Sequence, residues 1–302
     1  MPPMATARGI RDSDRCDIPL TILRDYLTLT KPEVNLLILM TTSAGYYLGS
    51  EGPFRTARFF STLVGTLLVA SGTATHNQWM ERRYDARMRR TANRPLVSGR
   101  VSAPAAFWFG LALSAAGGVL LATSVNALSA LLAIGTLLGY LLVYTPLKRK
   151  TPLCTLLGAI PGAMPTLIGW AAAAGRIGGN AWLLFGILFL WQFPHFLAIA
   201  LMYREDYARA GFRMLPRFDA DGSFTKREIV VFTVVLVIVT MLPLPGRSGI
   251  IYWLIMFTAG AFFAYQTARL AQSESRMLAG RVLHASVLYL PVVLGTMMAW
   301  KA

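Results

Sequence analysis

Charge is scarce in this chain. Only 14% of its 302 residues are Asp, Glu, Lys or Arg, against roughly 25% in an average soluble domain. The remainder is 55% hydrophobic, with a mean hydropathy of +0.52. That pairing excludes disorder and argues against an ordinary soluble fold. Cysteine is rarer still. Cys16 and Cys154 lie far apart, one in a polar stretch and one in an apolar run, so there is no disulfide framework and no zinc spacing. The first twenty residues lack an apolar core region and a small-residue cleavage site, which excludes a secretory signal. They also carry Asp12, Asp14 and Asp17 among three arginines, a poor fit to an acid-poor transit peptide. Residues 1–30 therefore read as a solvated cytoplasmic tail. Because this polar leader is short, an inner bacterial membrane is expected over a mitochondrial one. Acids are few beside bases, and the net charge is +15. Nucleic acid is not the implied partner, because the bases fall in loops between apolar runs and not on one polar face.

Those runs dominate the rest. They recur at 34–50, 59–80, 104–122, 126–145, 153–174, 181–202, 229–245, 249–268 and 282–300. Each is near the length that crosses a hydrocarbon core of about 30 Å. Two soluble domains would fit the length, but residues 31–302 read as one polytopic all-α membrane domain of about nine helices. The third and fourth runs are separated by little more than Ser124-Val125-Asn126, a tight hairpin. Pro243-Leu244-Pro245-Gly246 should stop the seventh cleanly. With alternate loops assigned to one side, one set holds 24 of the 29 Lys and Arg residues and the other holds 5. The positive-inside rule then places the N-terminus in the cytoplasm and the C-terminus outside. Two long basic loops, 81–103 and 203–228, are compatible with related halves, without a clear internal repeat.

The first of these loops follows a helix end that carries chemistry. Asn77, Glu81 and Asp85 recur every four residues, a spacing that keeps side chains on one helical face. Ionisable groups near a membrane interior are costly and usually functional. Magnesium takes oxygen ligands, typically one or two carboxylates with waters and substrate phosphates. Glu81 and Asp85 can supply the carboxylates and Asn77 an amide oxygen. Arg90 and Arg94 can meet phosphate oxygens as charged forks. Orientation alone would explain the arginines but not the acids.

The second loop places Glu205 and Asp206 beside Arg209 and Arg213, with Ala210-Gly211 as a helix end. A second carboxylate pair could hold a second metal against one diphosphate. Between the two loops, Tyr144 to Pro152 is short and basic; as a site, Lys148 or Lys150 would meet a phosphate. Of the three histidines, His76 reads as a helix-flank residue and His284 as a packed one. His195 lies within a span beside Pro194, where a freed carbonyl and an aromatic-rich wall could shape a cavity for a large flat substrate. It could serve there as a hydrogen-bonding group or an iron ligand. Glycines and alanines over 153–174 allow close helix packing, while Pro161 and Pro165 would kink that span and widen an internal cavity.

Asn77, Glu81 and Asp85, with Met88, Arg90-Thr91 and Arg94-Pro95-Leu96 after them, resemble the first motif of the membrane-embedded aromatic prenyltransferases of the UbiA superfamily. Tyr144 to Pro152, the stretch ending Ile168-Gly169-Trp170, Phe193-Pro194-His195-Phe196, and Asp206 to Gly211 with Met214-Leu215-Pro216 are similar to its haem branch. The resemblance covers about residues 28–300. Two positions depart from the family pattern: Glu81 stands where Asp is usual, and Asp206 is followed four residues later by Ala210. The resemblance implies nine helices around a central cavity, Mg2+ as cofactor, and farnesyl diphosphate and haem B as substrates. Diphosphate and a haem carrying a hydroxyethylfarnesyl group would be the products. It implies that Asn77, Glu81 and Asp85 hold the metal, with Glu205 and Asp206 assisting. Arg90, Arg94 and Lys148 or Lys150 would neutralise the leaving group. Tyr144, Tyr203, Tyr207 and His195 would contact substrate, with Tyr84, Tyr144 and Tyr203 as aromatic faces for a farnesyl cation. Haem A synthase or terminal oxidase assembly factors are the implied protein partners. A quinone- or chlorophyll-pathway prenyltransferase would share the first motif and differ at 193–216. A basic transporter using the intramembrane acids would move substrate without releasing diphosphate, and leaves the run from Arg90-Thr91 to Leu96 unexplained.

Overall fold

A computed structural model describes residues 13–242, 249–273 and 275–301, with side chains from residue 21 onward. Residues 1–12 of the expected tail, the Cys16 side chain and the Pro243–Gly246 stop lie outside the described residues. The described residues are helical, without strands. In chain order the helices are α1 Ser13–Thr30, α2 Pro32–Gly49, α3 Thr56–Asp85 and α4 Ala103–Ser124. Next come α5 Ala127–Leu147, α6 Cys154–Ala174, α7 Gly179–Met202 and the short α8 Arg204–Ala210. The chain ends with α9 Ser223–Thr240, α10 Ile250–Gln272 and α11 Arg276–Ala299.

Within the described residues all nine apolar runs fold as helices. Among the described residues seven helices are long and apolar enough to cross a membrane: α3 to α7, α10 and α11. The two that fall short are α2 and α9, each 18 residues long. α2 is diluted by Glu33, Asn35 and the Thr41-Thr42-Ser43 run, and α9 opens on Lys226-Arg227-Glu228. The α4–α5 hairpin is as tight as expected: Asn126 caps α5 by accepting from the Ser129 N–H at 2.8 Å.

Small residues bring the helices close enough to build one bundle. α2 crosses α6 where a Cβ on Gly45 would meet the Thr166 carbonyl oxygen and one on Gly169 the Thr42 carbonyl oxygen. In lipid, where apolar burial drives nothing, such close backbone approach supplies the packing. One cluster of buried side chains joins α2 and α6 to α7, α9, α10 and α11, around Trp191, Phe263 and Tyr289. A second joins α2, α3, α4, α5 and α6, around Tyr46 and Leu121. The outer surface is apolar: Leu36, Trp108, Leu131 and Phe257 are all at least 65% exposed, as a lipid-facing surface requires.

The end of α1 belongs to the fold, not to a solvated tail. Leu29 is buried against Leu96, Val101 and Ala106, and Tyr26 meets Phe109 edge-on with ring centroids 4.9 Å apart. Asp25 accepts from Arg100 Nε at 3.0 Å. The last carbonyls of a helix lack intrahelical partners; here Gln78 Nε2 of α3 donates to those of Leu29 at 2.9 Å and Thr28 at 3.3 Å. α1 is thereby fixed on α3, and the chain turns into α2 through Lys31.

Candidate active site at the basic end of the bundle

α3 has 30 residues, about 45 Å at 1.5 Å per residue. That exceeds a hydrocarbon core of about 30 Å, so its last turns stand at the membrane boundary. Asn77, Glu81 and Asp85 occupy those turns on one face, and all three are buried, at 1%, 6% and 1% exposure. They line a cavity of about 1320 Å³ that runs from this charged mouth into the apolar bundle.

Each member of the triad is held by a base. Lys148 Nζ, just past α5, donates to both Glu81 oxygens at 3.0 and 3.2 Å. Arg94 Nη1 donates to Asp85 Oδ2 at 2.6 Å. Thr91 Oγ1 donates to the Asp85 carbonyl at 2.8 Å, folding the following turn back on the helix end. Lys31 Nζ donates to Asn77 Oδ1 at 3.1 Å, and Asn77 Nδ2 donates to Thr145 Oγ1 at 3.2 Å. Asp85 Oδ1 is buried with no hydrogen-bond partner. A buried carboxylate oxygen left unpaired is expensive, and this one could accept a cation.

Lys31 was invisible to pattern reading. It has φ 53° and ψ 66°, the sole positive φ outside glycine among the described residues. A left-handed lysine costs about 1–3 kcal/mol and such strain gathers at functional positions. The sequence signal was a lysine before proline at the head of an apolar run. Burial, and then the Arg94 and Lys148 charges, push its ammonium down to about 7. An arriving polyanion would offset those terms. For Lys148, burial also pushes downward, but the Glu81 carboxylate outweighs it and holds the ammonium well above the ordinary lysine value.

α5 shapes the adjoining wall through a π-helical turn at Gly139–Tyr144, a distortion common at functional sites. It turns Tyr140 and Tyr144 onto the cavity, with ring centroids 4.9 Å apart. Lys148 Nζ sits 4.5 Å from the Tyr144 ring centre. Gly158 of α6 leaves room for that ring, since a Cβ there would overlap it. Deeper in, Pro161 and Pro165 of α6 line the cavity as expected, together with Trp191, Gln192, His195 and Phe196 of α7.

The remaining sequence candidates divide. Arg90 lines the cavity, donates to the Tyr207 hydroxyl at 3.2 Å and lies over the Tyr203 ring at 4.9 Å. Tyr207 lines the cavity, whereas Tyr84 and Tyr203 do not. Lys150 is exposed and off the cavity, so Lys148 is the lysine at the mouth. Asp206 is buried and accepts from Arg209 Nη2 at 2.5 Å; Glu205 is exposed, and neither lines the cavity. Among the described residues no group of three or more His, Cys, Asp or Glu stands together. α8 does end at Ala210, with Gly211 at φ 78°. His76 is buried and bonded to the Gly72 carbonyl oxygen. His284, expected to be packed, is instead exposed, because its position on α11 faces outward.

The UbiA prenyltransferase family model matches residues 38–290. The chain belongs to the UbiA prenyltransferase family. It is a multi-pass membrane protein. Among its relatives, protoheme IX farnesyltransferase of Solibacter usitatus is 49% identical, over 91% of this chain and 98% of the relative. The protein of the same name from Koribacter versatilis is 43% identical over 92% and 93%, and that of Aquifex aeolicus 38% over 94% and 98%. Among solved UbiA-type folds, a digeranylgeranylglyceryl phosphate synthase superposes with a TM-score of 0.75 at 19% identity, covering 93% of this chain and 99% of that one. A UbiA homologue from Archaeoglobus fulgidus bound to DMAPP and Mg2+ does so with 0.66 at 16%, covering 90% and 99%.

Proposed function

We propose that this UbiA-family protein transfers the farnesyl group of farnesyl diphosphate to a vinyl group of haem B, with addition of water, giving haem O and diphosphate. The observation that carries the reading is one juxtaposition. A polar mouth with surplus positive charge opens directly into an apolar cavity large enough for an isoprenoid chain and a flat acceptor. Relatives at 36–49% identity bear the name protoheme IX farnesyltransferase, and the haem-branch motifs at 144–152 and 193–196 lie at the mouth and along the cavity wall.

The residues fit a divalent cation. Asp85 has a free buried oxygen, and Glu81 and Asn77 stand one and two turns away on the same face. Two carboxylates and an amide, completed by waters and phosphate oxygens, suit Mg2+. When bound, Mg2+ would supply Lewis-acid stabilisation of the leaving diphosphate. Glu205 and Asp206 stand off the cavity on α8 and would assist only after α8 moves and Asp206 releases Arg209.

The chain's own groups do the rest. Lys31, Lys148, Arg90 and Arg94 bind the diphosphate and neutralise the charge that grows as the allylic C–O bond breaks. Tyr140 and Tyr144 turn aromatic faces toward the position of the developing farnesyl cation. Apolar side chains such as Met40, Val69, Ile168 and Leu188 line the cavity and keep water from the cation until the vinyl carbon has attacked. Trp191, Gln192, His195 and Phe196 form the wall for the haem. By the positive-inside rule this mouth would face the cytoplasm, at an inner bacterial membrane, with the N-terminus on that side and the C-terminus opposite. Haem A synthase or a terminal oxidase assembly factor would take the product.

The test uses purified protein in lipid with haem B, farnesyl diphosphate and Mg2+, with products weighed by mass spectrometry. A haem heavier by one farnesyl and one hydroxyl group, absent after chelation, is expected. Prenylation of a different aromatic acceptor with no haem adduct would overturn the acceptor assignment.

A further inference from the structure

We propose that His195 is the axial ligand of the haem iron, offering the lone pair of Nε2. The proposal deepens the haem reading above and depends on it.

Ser286 of α11 holds the ring. A serine hydroxyl has one hydrogen to give, and Ser286 Oγ lies 2.7 Å from the Leu283 carbonyl oxygen as its donor. His195 Nδ1 lies 2.8 Å from the same hydroxyl oxygen. With the hydroxyl hydrogen on Leu283, that oxygen accepts from Nδ1, and this is the tautomer the proposal assigns. Among the described residues no carboxylate pairs with the ring, and nothing there holds a second proton. The imidazole is therefore neutral with its lone pair on Nε2, the arrangement in which metal-binding histidines are fixed by a partner at the other nitrogen.

The ring is also clamped in orientation. Trp191, one turn earlier on α7, stacks on it with centroids 4.5 Å apart and planes at 26°. The Trp191 indole N–H donates to the Ser286 carbonyl at 2.7 Å, so the same serine is held from both sides. Phe196 meets the imidazole edge-on at 5.1 Å. His195 lines the cavity, and Nε2 has no hydrogen-bond partner among the described residues.

The other two histidines provide the contrast. His76 and His284 each bond through Nδ1 to the carbonyl four residues back on their own helix, Gly72 and Gly280. Both bonds stay within one helix. His195 instead reaches across to another helix, and its free nitrogen faces a cavity sized for a flat ligand. One histidine on one side gives a five-coordinate iron, with the tetrapyrrole edge left for the farnesyl donor at the charged mouth.

The test is spectroscopic and does not require turnover. Purified full-length protein in lipid is given haem B, and separately metal-free protoporphyrin IX. The wild type is expected to show an iron–histidine stretch in the ferrous resonance Raman spectrum and to bind haem B at least about tenfold more tightly than the metal-free ring. His195→Gly is expected to lose both, and added imidazole to restore the stretch. Ser286→Ala is expected to keep the haem with a shifted stretch and about tenfold weaker binding. An unchanged stretch in His195→Gly overturns the proposal while leaving the haem reading intact. Failure of the wild type to take up haem at all overturns the haem reading itself. Should His195→Gly not fold, Ser286→Ala decides, since an unmoved stretch and affinity there also overturn the assignment.

Discussion

The two acidic regions of this protein look alike in composition and differ in what they do. Residues 77–94 and 205–213 both set acids among arginines. In the first, both acids line the cavity, Glu81 is held by Lys148 from 67 residues away and Asp85 by Arg94 nine residues on, and one buried oxygen stays unpaired. In the second, Asp206 is paired locally with Arg209 three residues on, and Glu205 is exposed. A third acid nearby, Asp219, accepts from the Phe224 and Thr225 N–H groups and the Thr225 hydroxyl, fixing the start of α9. What separates the two clusters is that the first lines the cavity and leaves a buried oxygen over. Locally satisfied acids hold loops.

That contrast can be broken at its strongest point first. Asp85→Asn should lower turnover by about 10²–10³-fold, the loss typical of removing one group that stabilises leaving-group charge, while the protein still inserts and binds haem. Normal haem O production by this variant, measured by mass spectrometry, would remove the proposed metal site. Lys148→Met comes next. It leaves the buried Glu81 carboxylate unpaired, which costs about 3–5 kcal/mol, so a lowered Tm and lost diphosphate affinity are both expected. The double variant Lys148→Met/Glu81→Gln should regain Tm without regaining turnover.

Lys31 sharpens the comparison, because it belongs to the first region only in space. Lys31→Asn keeps a residue tolerant of the left-handed backbone and removes the charge. It should raise KM for farnesyl diphosphate roughly tenfold, about one charge-assisted hydrogen bond, with Tm unchanged. A Tm drop without a KM change would make Lys31 a strut. Asp206→Asn should have a smaller effect on kcat than Asp85→Asn, since Asp206 is engaged with Arg209 on the short helix carrying Tyr207. Glu205→Gln should have the smallest effect of all. Equal losses at Asp85 and Asp206 would show that the second region opens and joins the first during turnover.

Much of the fold was legible because lipid imposes it. Apolar runs of about 20 residues in a chain with few charges have one stable form, and all nine runs became helices. The four-residue spacing of Asn77, Glu81 and Asp85 placed them on one face, since helical geometry needs no tertiary help. Length and apolarity alone do not decide whether a marginal helix such as α2 or α9 crosses.

What the sequence by itself determined, then, is the periodic part: membrane helices, the face of α3 that carries the triad, and the proline-rich wall of α6. The tertiary structure alone decided which charges meet. Lys31 reaches Asn77 across 46 residues and Lys148 reaches Glu81 across 67. It also chose Lys148 over Lys150, left Tyr84 and Tyr203 off the cavity, and brought His195 Nδ1 to Ser286 Oγ, 91 residues away. The reason is physical. Secondary structure follows local spacing, whereas the pairing of buried charges depends on which helices pack together and on which oxygen or nitrogen remains unsatisfied once they have.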